Sequence, residues 1–298
     1  MKINELLQQR PTLSFEIFPP KKNKGTIDDM RPTIEALSKL KPDFISVTYG
    51  AGGSTTDNTV EIATMIKKEY GVESVAHLSC IDATHEHIHD VLDKLYDNGI
   101  ENILGLRGDY PKGYDPETAV SEFKHASDLD AYIEELYPNT FCISGACYPE
   151  VHPDAASFEE DLANLKKKVD AGAKYLTTQL FYDNDYYYRL VREARKIGID
   201  VPILAGVMPA INAKQLMRMR SISGSSAPYR LFSLINRFHN DSEAMKEVGI
   251  NYTVYQIMDL IANGADGIHI YTMNKPEIAM EVVHSTKHML NQYMHVER

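Results

Sequence analysis

At 298 residues the chain could form one large barrel or two small domains, and its 43% hydrophobic and 24% charged residues are typical of an ordinary globular protein. The net charge of −11 argues against a nucleic-acid surface, and no apolar run reaches the roughly 18 residues of a membrane span. No signal-peptide core opens the chain and its three cysteines lack disulfide or metal spacing, so we expect a cytoplasmic protein.

The first predicted strand runs from Leu13 to Phe18 and is followed by two prolines, which cannot continue a β-ladder. Because side chains alternate along a strand, Glu16 lies on the same face as Ser14 and Phe18. Burying a lone carboxyl costs several kcal/mol, so Glu16 requires either an ion-pair partner or a chemical role. Considered alone, it is more simply explained as a structural ion pair.

Strands and helices then alternate along the chain at a nearly constant interval. The later strands are predicted at 44–49, 75–80, 103–106, 141–147, 175–181, 203–208 and 267–272. Capping residues and terminal glycines predict helices at 26–39, 55–71, 84–98, 126–136, 157–172 and 185–197, and another beginning at Asn212. A Ser/Gly break at 221–226 precedes further helical sequence at 227–263, and the last helix is predicted at 276–292.

About eight strands alternating with helices in a chain of this size predict an α/β fold, a single (β/α)8 TIM barrel over residues 1–298. The helical sequence before the eighth strand is extra to that pattern. A doubly wound open sheet is the alternative, but the G-x-G-x-x-G fingerprint is absent after the first strand. Gly50-Ala51-Gly52 follows the second strand and lacks the third glycine at the right offset.

The predicted C-terminal ends of the strands, where TIM-barrel enzymes carry their chemistry, are unusually polar. Any one of these residues has a structural explanation, such as a hydrogen-bonded core histidine. Polar residues on most strands at one rim favour an active site instead. They are Glu16, Thr48, His77, Arg107, Asp109, Tyr148, His152, Gln179 and Tyr271.

Two helical patterns also carry chemical groups. His85-Glu86-His87-Ile88-His89 contains the zinc motif H-E-x-x-H, but no further ligand motif is nearby, so we interpret it as a solvated helix face and predict no metal site. Lys166-Lys167-Lys168 resembles an exposed charge run. However, Asp161, Asn164 and Lys168 recur at helical spacing just above the rim, where they could hold a phosphate or ribose.

Many segments resemble the methylenetetrahydrofolate reductase family, in its short bacterial type, and they occur in family order from the first strand to the eighth. The segments are Phe15-Glu16-Ile17-Phe18-Pro19-Pro20, Ser46-Val47-Thr48-Tyr49-Gly50-Ala51, His77-Leu78-Ser79-Cys80-Ile81-Asp82-Ala83-Thr84, Leu106-Arg107-Gly108-Asp109, Tyr148-Pro149-Glu150-Val151-His152-Pro153, Lys168-Val169-Asp170-Ala171-Gly172-Ala173, Thr178-Gln179-Leu180-Phe181 and Tyr271-Thr272-Met273-Asn274.

The resemblance implies a flavoprotein oxidoreductase of one-carbon metabolism and methionine biosynthesis. Non-covalent FAD, reduced by NADH or NADPH, would reduce 5,10-methylenetetrahydrofolate to 5-methyltetrahydrofolate. Glu16 matches the family's general acid, and Asp109 matches a carboxylate near the flavin and pterin. The implied FAD-binding residues are Thr48, Tyr49, His77, Arg107, Gly108, Asp109, Ala126, Tyr148, His152, Asp161, Asn164 and Lys168. The implied folate or nicotinamide contacts are Gln179, Gln215, Tyr271 and Lys275.

Three positions depart from the family pattern, with Lys275 in place of arginine, Met219 in place of an aromatic residue and His125 in place of tyrosine. They leave donor preference and affinity for the folate tail open. The sequence also leaves open whether a partner protein supplies the electrons, whether the chain is a folate-binding barrel without redox activity, and whether it forms a homo-oligomer. A lysine-dependent aldolase is disfavoured because no lysine lies inside a predicted strand near the rim.

Overall fold

The computed structural model describes residues 1–20, 25–49, 56–108 and 121–295. Its parallel strands pair in chain order and the first also pairs with the eighth, so the sheet closes into a barrel. The strands are β1 (Thr12–Ile17), β2 (Phe44–Val47), β3 (Glu73–Ser79), β4 (Asn102–Leu106), β5 (Cys142–Cys147), β6 (Tyr175–Thr178), β7 (Ile203–Val207) and β8 (Gly267–Tyr271). The predicted (β/α)8 barrel is confirmed.

Helices cover the outside of the barrel, and most begin where the sequence predicts. Ser157 Oγ accepts a hydrogen bond from Glu160 N at 3.2 Å, which is the predicted cap. The helices that follow strands one to six are α2 (Arg31–Ser38), α3 (Thr56–Tyr70), α4 (His85–Asp97), α5 (Ala126–Leu136), α6 (Phe158–Asp170) and α7 (Asn184–Lys196). Those after β7 and β8 are α8 (Ala213–Ser223), α9 (Tyr229–Phe238), α10 (Ser242–Ala262) and α11 (Pro276–Met294).

The extra helical segment before β8 consists of α9 and α10. Asp241 separates them, because its Oδ1 accepts hydrogen bonds from Glu243 N and Ala244 N, each at 3.1 Å, and so caps α10. The sequence indicated the helical character of this segment but not its division. Within the described residues, no helix is long and apolar enough to cross a membrane.

A short helix that the sequence did not predict, α1 (Ile3–Leu7), closes the N-terminal end of the barrel. Ile3 and Leu7 are fully buried in one cluster with Phe44 and Tyr175. Ile3 N donates to Asn102 Oδ1 at 2.9 Å, which fixes α1 to β4. Burying two such side chains stabilises the fold by about 3–6 kcal/mol. The opposite rim, with its polar residues, is therefore the end available for a ligand.

Strands β2 and β6 end earlier than predicted, at Val47 and Thr178. At the end of β6, Gly206 N donates to Thr178 Oγ1 at 2.8 Å, so a side chain replaces the next backbone acceptor and the ladder stops. Gln179 therefore lies after β6, which corrects its predicted place on that strand. Residues 21–24, the segment Gly50-Ala51-Gly52 and Asp109 lie outside the described residues.

Candidate active site

Glu16 lies near the C-terminal end of β1, on the face turned into the barrel, and is 7% exposed. Its Oε2 is 3.5 Å from His77 Nε2 on β3 and 3.7 Å from His269 Nε2 on β8. Both distances are longer than an ordinary hydrogen bond. Among the described residues, no lysine or arginine forms an ion pair with Glu16. The structural ion pair considered from the sequence is therefore absent from this part of the chain.

The two histidines beside Glu16 have different surroundings. His269 Nδ1 is 2.8 Å from Ser14 Oγ, and its ring stacks on Phe44 with centroids 6.1 Å apart. His77 is buried, and its Nε2 has no hydrogen-bond partner. Burial lowers the pKa of His77 to about 4 although Glu16 opposes this shift, so His77 is neutral at pH 7.

The ends of β1 and β8 are joined beside this acid by the segment after Tyr271. Thr272 Oγ1 donates to Glu16 O at 2.7 Å. The Asn274 amide bonds both backbone groups of Phe18, accepting from its N at 2.9 Å and donating to its O at 2.8 Å. Asn274 has φ 56°, a left-handed conformation that asparagine tolerates better than most residues. No local sequence pattern indicated this role of Asn274.

Tyr271 forms part of the barrel mouth. Its hydroxyl donates to Thr178 O at 2.6 Å, and its ring centroid is 5.1 Å from that of His269. Burial raises the pKa of Tyr271 well above its ordinary value, so the phenol stays protonated. A β-carbon at Gly206 would lie 2.7 Å from Tyr271 Cε2, and this close approach requires glycine. The neighbouring Gln179 accepts a hydrogen bond from Leu180 N at 2.9 Å.

On another side of the rim, β4, β5 and α6 bring together cationic and acidic groups. Arg107 Nη2 is 2.8 Å from Asp154 Oδ2, and Lys168 Nζ donates to Ala146 O at 2.7 Å. Asp161 Oδ2 accepts from His152 N at 2.8 Å. Burial raises the pKa of Asp161 and lowers the pKa of Lys168. The arginine and lysine are suited to phosphate groups.

The predicted residues around this cationic side also form defined contacts. The ring centroids of Tyr148 and His152 are 4.5 Å apart in an edge-on arrangement. Gly108 follows β4 with φ 92°, and a β-carbon there would lie 2.1 Å from Ser79 Oγ. Ala126 is buried at the first position of α5. Arg107 and Lys168 provide hydrogen-bond donors, and Gly108 lets a ligand come close to the backbone. This arrangement fits a phosphate-bearing cofactor.

Other predicted residues lie at the edge of this arrangement. Tyr49 Oη is 3.3 Å from His87 Nε2 on α4, and Thr48 O accepts from Thr59 Oγ1 at 3.1 Å. Asn164 is exposed and accepts from Lys167 Nζ at 2.9 Å. Gln215 is in the first turn of α8, and Lys275 is exposed just before α11. Helical spacing therefore placed Asp161 and Lys168 together, whereas Asn164 turns to solvent.

The H-E-x-x-H segment lies on the outer surface, which confirms its interpretation as a solvated face. His85 Nδ1 is 2.7 Å from Glu122 Oε2, and His89 Nδ1 is 3.5 Å from Asp93 Oδ2. Both histidine side chains are nearly half exposed. These residues form separate pairs on the surface. Across the described ranges, no three His, Cys, Asp or Glu residues are grouped so that they could hold a metal ion.

Comparisons with known proteins agree on one family. A family model described as methylenetetrahydrofolate reductase matches residues 2–287. The chain is 38% identical to 5,10-methylenetetrahydrofolate reductase of Escherichia coli over 280 residues, which cover 94% of this chain and 92% of that protein. It is also 38% identical to methylenetetrahydrofolate reductase (NADH) 1 of Arabidopsis thaliana, over 95% of this chain and 49% of that protein. The chain thus spans about half the length of this plant relative.

A solved structure supports the fold independently. A Clostridium thermocellum protein, determined with two copies of 5-methyl-5,6,7,8-tetrahydrofolic acid, superposes with a TM-score of 0.65. The superposition covers 98% of this chain and 100% of that protein, at 14% sequence identity. At this identity the likeness concerns the barrel architecture alone.

Proposed function

The chain belongs to the methylenetetrahydrofolate reductase family, and we propose that it catalyses the FAD-dependent reduction of 5,10-methylenetetrahydrofolate to 5-methyltetrahydrofolate. Family membership confirms the resemblance found in the sequence. The proposed electron donor is NADH, which the names of the Arabidopsis and rice relatives specify. The three buried free cysteines agree with the proposed cytoplasmic location, since reducing conditions preserve thiols.

Glu16 is the observation that carries this proposal. The substrate's five-membered ring must open before its methylene carbon can accept a hydride, and a positioned acid that protonates the bridging nitrogen makes the opening feasible. Glu16 is buried at the mouth of the barrel, and its neighbour His77 is neutral at pH 7. A buried carboxyl at this position is placed to act as the general acid that meets the substrate nitrogen.

Glu16 donates its proton to the ring nitrogen, the bond between that nitrogen and the methylene carbon breaks, and the other nitrogen stabilises the resulting iminium. A hydride then converts the iminium carbon to a methyl group, and Glu16 recovers a proton from solvent before the next turnover. When bound, FAD would supply the hydride and would itself be reduced by the nicotinamide.

The residues of the rim would hold the two ligands in different ways. Arg107 and Lys168 would bind the FAD phosphates, and Asp109, outside the described residues, stays a prediction for the flavin ring. Gln179 would contact both folate and nicotinamide, because a neutral amide can donate and accept. Lys275 would meet the glutamate tail of the folate as a point charge, which gives weaker orientation than a bidentate arginine. Gln215 and Tyr271 would complete the substrate side.

Absorbance spectroscopy of the purified protein tests the proposal. We expect a flavin spectrum that NADH bleaches without oxygen and that 5,10-methylenetetrahydrofolate then restores, with 5-methyltetrahydrofolate as the product. A colourless protein that still binds folate would contradict the redox function. A flavin that NADH leaves oxidised, but that a reduced carrier protein bleaches, would contradict the proposed donor and support a protein partner.

A further inference from the structure

Two glycines form a shallow trough on the outer face of the barrel, beneath α5 and α6. Gly105 on β4 and Gly145 on β5 are paired directly across the two strands. A β-carbon at Gly105 would lie 2.0 Å from Asp130 Oδ1, and one at Gly145 would lie 3.6 Å from Lys168 Cδ. Because neighbouring strands are about 4.8 Å apart, the Asp130 carboxyl and the Lys168 side chain lie side by side over this trough.

Neither group is fully paired there. Asp130 is 0% exposed, and neither of its oxygens has a hydrogen-bond partner. Lys168 Nζ donates to Ala146 O rather than to the carboxyl. Burial raises the pKa of Asp130 to about 8, although the Lys168 ammonium opposes this shift. The carboxyl is therefore mostly protonated and neutral at pH 7.

The surrounding titratable groups leave Lys168 as the principal charge that Asp130 faces. Cys80, at the end of β3, also interacts with Asp130, but the pKa of its thiol is raised to about 12, so it stays neutral. Lys168 itself also interacts with other groups at the rim, namely Arg107, Cys147 and Asp161. Among the groups that interact with Asp130, the charge that changes near neutral pH is consequently that of Asp130 itself, when its carboxyl loses the proton.

We propose that Asp130 is a positioning residue for Lys168, and that ionisation of its carboxyl weakens the binding of an anionic cofactor at the rim. This inference rests on the proposed role of Lys168 in binding FAD phosphate. While Asp130 is neutral, the ammonium is available to the phosphate. When Asp130 releases its proton to solvent, its carboxylate attracts the ammonium and adds a negative charge close to the phosphate site.

The test measures FAD release from the flavin-loaded protein on dilution, by flavin fluorescence, between about pH 7 and about pH 9. The parent's affinity should fall by about fivefold across this range, because a coupling of one pKa unit reaches its full factor of about ten only above about pH 9. Asp130→Asn keeps the size of the side chain but cannot ionise, so its affinity should change less than about twofold. Glu135→Gln removes a charge from an exposed position of α5 and should follow the parent.

If FAD affinity depends on pH in the same way in the parent and in Asp130→Asn, the inference is overturned, whereas the proposed FAD binding is not. The same holds if Glu135→Gln flattens the profile as much as Asp130→Asn does, because the effect would then belong to the net charge of α5. Absence of bound flavin from the parent at every pH would instead contradict the proposed function, and this inference with it. Should Asp130→Asn fold poorly, Asp130→Val removes the same carboxyl and should give the same flat profile.

Discussion

Substitution of Asn274 tests how the barrel holds the end of β1 beside Glu16. The Asn274 side chain makes two hydrogen bonds to the Phe18 backbone, at 2.9 and 2.8 Å, from a residue with φ 56°. Asn274→Ala removes both hydrogen bonds and leaves a residue with a β-carbon in the left-handed region. Asn274→Gly removes the same hydrogen bonds, whereas glycine accepts this backbone conformation without steric cost.

The expected magnitudes follow from these contacts. Two partly buried hydrogen bonds at about 1 kcal/mol each predict that Asn274→Gly lowers the free energy of unfolding by about 2 kcal/mol. The left-handed conformation costs alanine about 1 kcal/mol more, so Asn274→Ala should lose about 3 kcal/mol. Asn263→Ala is the matched control, because Asn263 is exposed with φ −98° and its amide donates to Asp259 on α10. It should lose less than about 1 kcal/mol.

Urea unfolding of the three variants measures these differences. Equal losses for Asn274→Ala and Asn274→Gly would show that the positive φ is not strained. Losses no larger than that of Asn263→Ala would refute the reasoning that Asn274 joins β1 to β8. Because Thr272 and Asn274 hold the backbone of Glu16 and Phe18, folate reduction should also slow in both Asn274 variants, more than flavin reduction does.

Lys168→Ala should lower flavin occupancy while the flavin-free protein melts nearly as the parent does; equal flavin affinity by titration would show that Lys168 does not hold the cofactor. Gln179→Ala should slow both half-reactions, measured separately by flavin absorbance, and a loss confined to one would mean that folate and nicotinamide do not share this contact. Asp130→Asn should change the pH dependence of stability. The unfolded Asp130 releases its proton near pH 4 and the folded one near pH 8, so the parent should lose stability relative to Asp130→Asn as pH rises between these values. Parallel urea-unfolding curves for the two proteins from pH 5 to about pH 8 would contradict this pKa shift.

The barrel could be predicted because its strands are buried on both faces and appear as short apolar runs between capped helices. Strand β7 is an example, predicted at 203–208 and found at Ile203–Val207. Helix α1 escaped prediction because Lys2 provides no side-chain cap and only Ile3 and Leu7 mark an apolar face. A helix this short is stabilised by the barrel end that it covers, which local sequence does not reveal.

Residues of the candidate site could be predicted where the spacing of side chains along one strand or helix shows which of them share a face. Alternation along β1 placed Glu16 inside the barrel, and helical spacing placed Asp161 beside Lys168. Contacts between distant segments gave no such signal. Asp130 appears in the sequence as an ordinary polar residue of an outer helix, and only its approach to Gly105 explains its burial. Gln179 was assigned to β6 because the apolar run continues beyond Thr178, whose side chain ends the ladder.

Separate measurement of the two half-reactions in Glu16→Gln tests the central claim, that Glu16 is the acid for folate reduction. Glutamine keeps the size and hydrogen-bonding capacity of Glu16 but has no proton to give to the ring nitrogen. Stopped-flow absorbance should show flavin reduction by NADH within roughly tenfold of the parent, and folate reduction slower by about 10²–10⁴-fold. Equal slowing of both steps would mean that Glu16 only shapes the pocket, and retained folate reduction would place the acid elsewhere.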